Sequence, residues 1–285
     1  MPITSADLQR DALFSLEGKT AVLTGASGFL GRTFALALLA NGARVVALGR
    51  SERLVTEAAA WANQFGEDKI SVRQIDMYEA AALDDLCDAI AAEEKSIDVL
   101  VNNAHELGAA TGFNVPEGSL ENSTFDQWQR NLQGGVYWAV QTTQRLGIRM
   151  KEQRAGSIIN IATMYATVAP RPQLYEGTES LNPPGYSASK AALAAFTRYT
   201  ASFWGRHGVR ANCISPGPFS NTEDVAGRNS VAEDSPFVQR LKGYTVLNRI
   251  GRPIELCGAL LFLASDASTY VTGQNLIVDG GWTAV

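Results

Sequence analysis

Short apolar runs rich in β-branched residues alternate along this chain with longer stretches in which apolar positions recur every three or four residues. The short runs predict β-strands, and they lie near residues 20–24, 44–48, 70–75, 97–102, 157–162, 209–214 and 275–279. The longer stretches predict helices, which include residues 32–40, 78–94, 124–145, 186–205 and 253–264. Alternating strands and helices pack as a parallel sheet covered on both faces. We therefore expect an α/β fold with one doubly wound parallel sheet of about seven strands.

Two segments, residues 164–185 and 218–250, do not fit this alternation. Both follow predicted strand ends, and open α/β sheets bind ligands at the carboxyl ends of their strands. We interpret them as substrate loops of a single domain that spans residues 1–285, with residues 1–17 as an N-terminal extension. One α/β domain of this length is common.

Composition excludes several classes of protein. Hydrophobic residues make up 46% of the 285 residues, which is enough for a core. The net charge of −5 without a basic stripe argues against nucleic acid as a partner, and no apolar run approaches the roughly 18 residues of a membrane span. Cys87, Cys213 and Cys257 lack metal-ligand spacing, so we predict no metal site. Reduced thiols and the lack of a secretion signal predict a cytoplasmic location.

A glycine-rich turn follows the first predicted strand. The sequence Gly25-Ala26-Ser27-Gly28-Phe29-Leu30-Gly31 lies between that strand and an apolar helix, and a second strand follows, as in a βαβ unit. Glycine lets the backbone turn tightly and approach a pyrophosphate, and the free N–H groups of a helix N-terminus attract its charge. The turn therefore predicts nucleotide binding.

Tyr186 and Lys190 lie four positions apart at the start of an alanine-rich helix. Residues with this spacing share a helix face, about 5–6 Å apart. A nearby positive charge lowers the pKa of a phenol from about 10, toward the range in which general acid–base catalysis is effective. The pair therefore indicates a proton-transfer site in which Lys190 lowers the pKa of Tyr186.

The turn and the pair belong to a longer series of motifs. In chain order these are Thr24-Gly25-Ala26-Ser27-Gly28-Phe29-Leu30-Gly31, Asn102-Asn103-Ala104, Tyr186 with Lys190, Pro216-Gly217, and Tyr270–Gln274 followed by Val278–Gly281. In these motifs the chain resembles the short-chain dehydrogenase/reductase family over nearly its full length. The resemblance implies a Rossmann fold, an NAD(P) cofactor, and hydride transfer between an alcohol and a ketone in a small-molecule substrate.

The resemblance also implies roles for Asn131, Thr163, Tyr186 and Lys190, which fall where the family keeps its catalytic groups. Tyr186 would exchange a proton with the substrate oxygen, and Thr163 would hydrogen-bond that oxygen. Lys190 would also hold the nicotinamide ribose. Asn131 would anchor a water molecule that links Lys190 to solvent.

Three positions depart from the family pattern. Phe29 stands at the middle glycine of the turn, His105 stands where a glycine follows Asn102-Asn103-Ala104, and Thr163 replaces a serine. The Phe29 turn is more similar to that of the extended branch of the family. Threonine keeps a hydroxyl that donates and accepts hydrogen bonds, so we still expect catalysis.

By the same resemblance, the cofactor would contact several parts of the chain. The predicted contacts are Gly25, Ser27, Gly28, Phe29, Leu30, Gly31, Arg50, Asp76, Met77, Asn103, Ala104, Tyr186, Lys190, Pro216, Gly217 and Phe219. At Arg50, after the second strand, an acidic residue would bind the ribose hydroxyls of NAD, whereas a guanidinium pairs with the 2′-phosphate of NADP. We therefore favour NADP over NAD; a solvated surface arginine is the alternative.

The segment 164–185 gives the first indication of the substrate. It is rich in donors and acceptors, which suit a polyhydroxylated ligand better than an acyl chain. It is similar to family members in bacterial surface-sugar (nonulosonic-acid) gene clusters and to the gluconate 5-dehydrogenase group. We predict substrate contacts from Tyr175 and Glu176 and, on the opposite wall, from His105. A solvated loop and a packing histidine are the alternatives.

Three other functions fit parts of the sequence. A 3-oxoacyl-carrier-protein reductase needs a basic docking patch, but we expect the basic run at Arg145, Arg149, Lys151 and Arg154 at the opposite end of the sheet. A non-catalytic NADP-binding sensor can lose the tyrosine or the lysine, and both are present. A nucleotide-sugar epimerase or dehydratase needs a larger C-terminal domain. Family members form tetramers through helices that correspond to residues 124–145 and 186–205, so we expect a homotetramer or homodimer.

Overall fold

The computed structural model describes residues 9, 13–178, 180–222 and 232–285. Residues 1–8 and 10–12 of the predicted extension, Glu179, and residues 223–231 of the predicted loop 218–250 lie outside the described residues. The strands are β1 (Thr20–Thr24), β2 (Arg44–Gly49), β3 (Ile70–Gln74), β4 (Val99–Asn102), β5 (Gly156–Ile161), β6 (Val209–Pro216) and β7 (Asn275–Val278). The α-helices are α1 (Phe29–Ala40), α2 (Glu52–Phe65), α3 (Ala80–Glu93), α4 (Phe125–Leu132), α5 (Trp138–Gln153), α6 (Pro184–Trp204), α7 (Pro236–Tyr244) and α8 (Cys257–Ala264).

The strands pair in parallel in the order β3-β2-β1-β4-β5-β6-β7. Successive side chains of a strand point to opposite faces, and in β1 Val22 packs in the core that contains Leu83 of α3, whereas Leu23 packs in the core that contains Phe34 of α1. The doubly wound α/β sheet predicted from the sequence is confirmed. The reversal of strand order between β1 and β4 opens a crevice at the carboxyl ends of the strands.

The helix predicted at residues 124–145 is interrupted. A π-helical turn, Gln133–Tyr137, separates α4 from α5, which continues to Gln153. A Cβ atom on Gly135 would lie only 2.1 Å from Ser189 Oγ of α6, so the glycine permits close contact between the two elements. Such turns are frequent at functional sites, and this one begins two residues after Asn131.

The two segments outside the alternation contain structure that the pattern did not predict. α7 lies within the segment 218–250, where Ser235 Oγ accepts a hydrogen bond from Val238 N (3.3 Å) and caps the helix. The segment 164–185 packs against α7 and the C-terminus, with Leu174 and Trp282 buried in a shared apolar cluster. Apolar contacts with distant parts of the chain therefore hold the segment in place.

Buried polar side chains join the centre of the sheet to the helices behind it. Asn102 Nδ2 donates to Asn160 Oδ1 (2.8 Å), and Asn160 Nδ2 donates to Thr197 Oγ1 of α6 (2.8 Å). Thr142 Oγ1 of α5 donates to Asn102 Oδ1 (2.7 Å). Because a buried polar group left unpaired costs about 1–3 kcal/mol, this network fixes the end of β4, from which Asn103 and Ala104 continue.

Among the described helices, none combines the length and apolar character needed to cross a membrane. Within the same residues, no three or more His, Cys, Asp or Glu side chains lie together in a way that could hold a metal ion. Cys87 and Cys213 are buried free thiols, and Cys257 is partly buried.

Candidate active site

A cavity of about 1140 Å³ lies at the carboxyl ends of the strands. One part, which we call the cofactor half, is lined by Gly25, residues 27–30, Arg32, residues 49–53, 75–77 and 103–104, and Glu106. The other part, the substrate half, is lined by His105, residues 113–114 and 163–165, Tyr175, residues 180–182, Tyr186, Lys190, Phe237 and Leu241. Pro216, Gly217 and Phe219 also line the cavity. The cavity therefore brings residues of the glycine turn and the Tyr186–Lys190 pair into one site.

The glycine turn of the cofactor half is closely packed. Gly25 has a left-handed backbone with φ of +66°, and a Cβ atom on it would lie 2.9 Å from Ala104 Cα. A Cβ atom on Gly31 would lie 2.0 Å from Gly25 O, so Gly31 supports the turn from beneath without lining the cavity. Phe29, at the departure from the family pattern, begins α1. This glycine-lined helix N-terminus fits a pyrophosphate, which needs close approach to backbone N–H groups.

Asn103 and Ala104 hold the turn in position. Their backbone N–H groups both donate to Thr24 Oγ1 at 3.0 Å. The side-chain amide of Asn103 donates to Thr24 O and Gly25 O, each at 3.1 Å. The Asn103 amide nitrogen is thus used within the protein, where it braces the turn. Asn103 and Ala104 also line the cofactor half, and their contact with the nucleotide stays a prediction.

Thr163, Tyr186 and Lys190 line the substrate half together. Thr163 follows β5, and its hydroxyl lies near enough to the phenol of Tyr186 to lower the pKa of that group. Lys190 lies one helical turn beyond Tyr186, and its Nζ atom donates to Ile161 O at 2.8 Å. The structure therefore brings together a phenol, a hydroxyl and an amine that are separated by up to 27 positions in the sequence.

The expected effect of Lys190 on Tyr186 is corrected by this arrangement. Burial raises the pKa of Tyr186 to about 12, and the nearby Thr163 hydroxyl lowers it only in part. Burial also lowers the pKa of Lys190 to about 8. The Lys190 amine donates to Ile161 O. Burial of the phenol therefore outweighs the groups that favour the phenolate.

Asn131 lies behind the cavity, not on its surface. It is 1% exposed, and its amide nitrogen donates to Thr111 O (2.7 Å) and Gln127 O (2.8 Å). Its Oδ1 atom is buried without a hydrogen-bond partner among the described residues. A Cβ atom on Gly185 would lie 3.0 Å from the Asn131 side chain, so the start of α6 packs directly on it.

His105 lies against the phenol of Tyr186. Its ring makes an edge-to-face contact with Tyr186 at 5.0 Å between centroids, and Phe113 contacts the same phenol at 5.1 Å. Burial and the positive charge of Lys190 hold the pKa of His105 well below its usual value, and an interaction with the Gly134 backbone offsets only part of this effect. His105 is therefore neutral, with ring nitrogens that are buried without a well-formed hydrogen bond to a described residue.

The other two predicted substrate contacts lie in different places. Tyr175 lines the cavity and stacks on Phe237 at 5.9 Å between centroids. Glu176 is exposed and does not line the cavity, and its backbone carbonyl accepts a hydrogen bond from Arg240. Backbone carbonyls of the segment 164–185, rather than its polar side chains, thus fasten it to Arg240 of α7.

Asn182 and Glu106 are among the cavity residues that were not predicted as site residues from the sequence. Asn182 lines the substrate half with its Oδ1 atom buried and without a partner among the described residues. The sequence feature that could have identified Asn182 is the excess of polar residues in its segment. Glu106 accepts hydrogen bonds from Arg50 Nη2 (3.0 Å), Arg130 Nη1 (3.2 Å) and Tyr78 OH (2.6 Å). No local pattern marked Glu106, because its partners come from distant segments.

A family model described as enoyl-(acyl carrier protein) reductase matches residues 25–283. The chain is 34% identical to a D-threitol dehydrogenase from Mycolicibacterium smegmatis over 279 residues, which cover 97% of each protein. The chain belongs to the short-chain dehydrogenase/reductase family. It is accordingly an NAD(P)-dependent oxidoreductase that acts on a small molecule.

Other members of the family show the same likeness over nearly their full length. A sorbose reductase from Schizosaccharomyces pombe is 34% identical over 276 residues, which cover 95% of this chain and 98% of that protein. A solved gluconate 5-dehydrogenase from Burkholderia cenocepacia, in complex with NADP and tartrate, is 30% identical with a TM-score of 0.81 and covers 95% of this chain and 98% of its own. Hence the whole dehydrogenase fold, and not only its nucleotide half, is shared.

Proposed function

We propose that this dehydrogenase interconverts a secondary alcohol and a ketone on a sugar, a sugar alcohol or a sugar acid, with a preference for NADP. The observation that carries the substrate class is the set of polar atoms buried in the substrate half without well-formed hydrogen bonds, namely both ring nitrogens of His105 and Oδ1 of Asn182. Buried polar groups in native proteins are nearly always paired. A ligand with several hydroxyl groups would pair these atoms, whereas an acyl chain would not.

In the proposed reaction, Tyr186 exchanges a proton with the substrate oxygen while Thr163 hydrogen-bonds the same oxygen. Both residues line the same cavity, and Thr163 lowers the pKa of the Tyr186 phenol, which supports this pairing of roles. When bound, the nicotinamide supplies or accepts the hydride. Lys190, whose pKa lies near 8, can hold or release a proton near neutral pH, so it is suited to exchange protons with Tyr186 during turnover.

Asn131 is proposed as a positioning residue behind these groups. Its buried Oδ1 atom and its place beside the π-helical turn support a role in holding a water molecule near Lys190. The amide nitrogen is already engaged with two carbonyl groups. Only the oxygen is therefore available for such a water.

The preference for NADP rests on the end of β2. Gly49 and Arg50 occupy the place where an acidic residue would bind the ribose hydroxyls of NAD. Arg50 is followed directly by the N-terminus of α2, where Ser51 caps the helix, and a helix N-terminus favours anions. A guanidinium beside a helix N-terminus suits the 2′-phosphate of NADP.

We also propose that a second copy of the chain covers the outer face of α6. Tyr199 and Phe203 are 59% and 55% exposed, and their rings stack at 4.3 Å between centroids. Exposed aromatic pairs of this kind are typical of interfaces. Sedimentation of the native protein against Tyr199→Glu should show a lower assembled mass for the variant; equal masses would remove this face from consideration.

A carrier-protein reductase is disfavoured by the placement of the basic run. Arg154 follows α5 at the amino end of β5, away from the cavity at the carboxyl ends. Arg145 is paired with Asp84 and Asp88. None of the four basic residues lines the cavity.

The test is an initial-rate assay at the absorbance band of the reduced nicotinamide, with NADP and NAD run in parallel. The panel contains sugar alcohols, keto sugars, sugar acids and a short 3-oxoacyl thioester, and Tyr186→Phe serves as the blank. Turnover of a polyhydroxylated compound that the blank lacks supports the proposal. Turnover of the thioester alone would overturn it in favour of the carrier-protein reductase.

A further inference from the structure

Glu106 lies at the junction of three strand ends and a helix. It follows β4, and its carboxylate contacts Arg50 after β2, Tyr78 after β3, and Arg130 of α4. The Glu106 side chain is 16% exposed, whereas that of Arg50 is 57% exposed. A largely buried carboxylate thus holds the guanidinium that faces the cofactor half.

The rest of this cluster is anchored independently of the carboxylate. Arg130 lies over the ring of Tyr78 at 4.7 Å, and Tyr78 packs edge-to-face on Trp138 at 4.9 Å. Burial raises the pKa of Glu106, but hydrogen bonds from Tyr78 and Arg50, with the positive charges of Arg50 and Arg130, lower it overall. Glu106 is therefore a permanent negative charge at neutral pH.

This negative charge opposes the ligand that Arg50 is proposed to receive. A 2′-phosphate must either displace Glu106 from Arg50 or share the guanidinium with it, and two anions near one cation repel each other. NAD carries hydroxyl groups at both ribose positions and meets no such repulsion. The Glu106 carboxylate is therefore expected to weaken the binding of NADP and to leave the binding of NAD unchanged.

Resting on the proposed role of Arg50, we propose that Glu106 is a specificity-determining residue that restrains NADP binding by competing with the 2′-phosphate for Arg50. The protein would thereby keep a measurable affinity for NAD beside its preference for NADP. Release of Arg50 from Glu106 should widen the preference for NADP.

The experiment is a calorimetric titration of the full-length protein with NADP and with NAD, which measures binding without turnover. Glu106→Gln keeps the shape and an acceptor for Tyr78 but removes the charge. Charges a few ångströms apart in a partly solvated site change binding by about tenfold. We expect the Kd for NADP to fall about tenfold while the Kd for NAD stays within about twofold.

The matched control is Glu94→Gln, which breaks the Arg44 pair at the amino end of β2 (2.9 Å) and removes the same charge far from the cavity. It should change neither Kd. An unchanged or weaker affinity of Glu106→Gln for NADP would overturn the inference, as would an equal gain in Glu94→Gln.

The variant Arg50→Ala distinguishes a failure of this inference from a failure of the proposed NADP site. If Arg50→Ala weakens NADP binding and Glu106→Gln does not strengthen it, only the role of Glu106 fails. If Arg50→Ala leaves the ratio of the two Kd values unchanged, the proposed NADP site itself fails, and the inference fails with it. In the double variant, the gain from Glu106→Gln should be largely lost, because no guanidinium remains to be released.

Discussion

Backbone groups form most of the cofactor half of the cavity, whereas side chains form most of the substrate half. In the cofactor half, a glycine turn and backbone groups are fixed by short internal contacts, as with Thr24 Oγ1 and the N–H groups of Asn103 and Ala104. In the substrate half, side chains from distant segments meet, and His105 and Asn182 keep polar atoms without well-formed hydrogen bonds. The first half can recognise a constant ligand through its backbone. The second can distinguish substrates, because each unpaired atom demands a partner from the ligand.

The largest expected effect separates chemistry from binding. Tyr186→Phe removes the proton donor but keeps the ring that packs on His105 and Phe113. Because general acid–base groups contribute about 10²–10⁴-fold, turnover should fall about a thousandfold while the Kd for NADP stays the same. Steady-state rates and calorimetry measure the two quantities. Tyr270→Phe, which removes the same hydroxyl from an exposed residue outside the cavity, is the control. Turnover of Tyr186→Phe within about tenfold of the parent would contradict the role of Tyr186.

The next effect tests the backbone of the cofactor half. The Cβ atom of Gly31→Ala would meet Gly25 O at 2.0 Å, so the turn must shift. We expect the Kd values for NADP and NAD to rise together by about tenfold or more, with a lower Tm. Gly258→Ala in α8 is the control, because a Cβ atom there meets no atom within 4 Å. Normal nucleotide binding by Gly31→Ala would show that the turn does not depend on this contact.

A pH experiment tests the buried amine of Lys190. Its pKa is about 8 in the folded protein against 10.5 for the free side chain, so between these values the unfolded chain binds more protons. The free energy of unfolding should therefore rise with pH through this window, by up to about 1.4 kcal/mol per unit, and Lys190→Met should lack this contribution. Denaturant unfolding of both proteins from pH 7.5 to 9.5 measures the difference. Equal slopes would mean that burial does not lower this pKa.

The smallest effect concerns one hydrogen bond in the substrate half. Asn182→Ala removes a buried acceptor that the proposed substrate would pair, so the KM should rise about threefold to tenfold with little change in the Kd for NADP. Asn122→Ala, which changes an exposed residue outside the cavity, is the matched control. If the KM of Asn182→Ala equals that of the control, Asn182 does not contact the substrate.

Much of the fold followed from local patterns. All predicted strands exist close to their expected bounds. The central strands are short apolar runs buried in a parallel sheet, whereas the edge strands β3 and β7 are only partly buried. The prediction of one continuous helix at residues 124–145 was wrong, because a π-helical turn interrupts it. At this turn Gly135 packs against Ser189 of another helix. Likewise, α7 lies in a segment whose described apolar residues pack against remote residues such as Leu174 and Trp282.

The sequence by itself determined the glycine turn, the Tyr186–Lys190 pair and the alternation of strands and helices along the chain. These depend on residues close together in the chain, where spacing fixes geometry. Only the tertiary structure decided that Lys190 points at Ile161 O, that Glu106 holds Arg50, and that Asn182 reaches the cavity while Glu176 does not. Each of these depends on burial or on a charge brought from a distant segment, and neither is visible before the chain has folded.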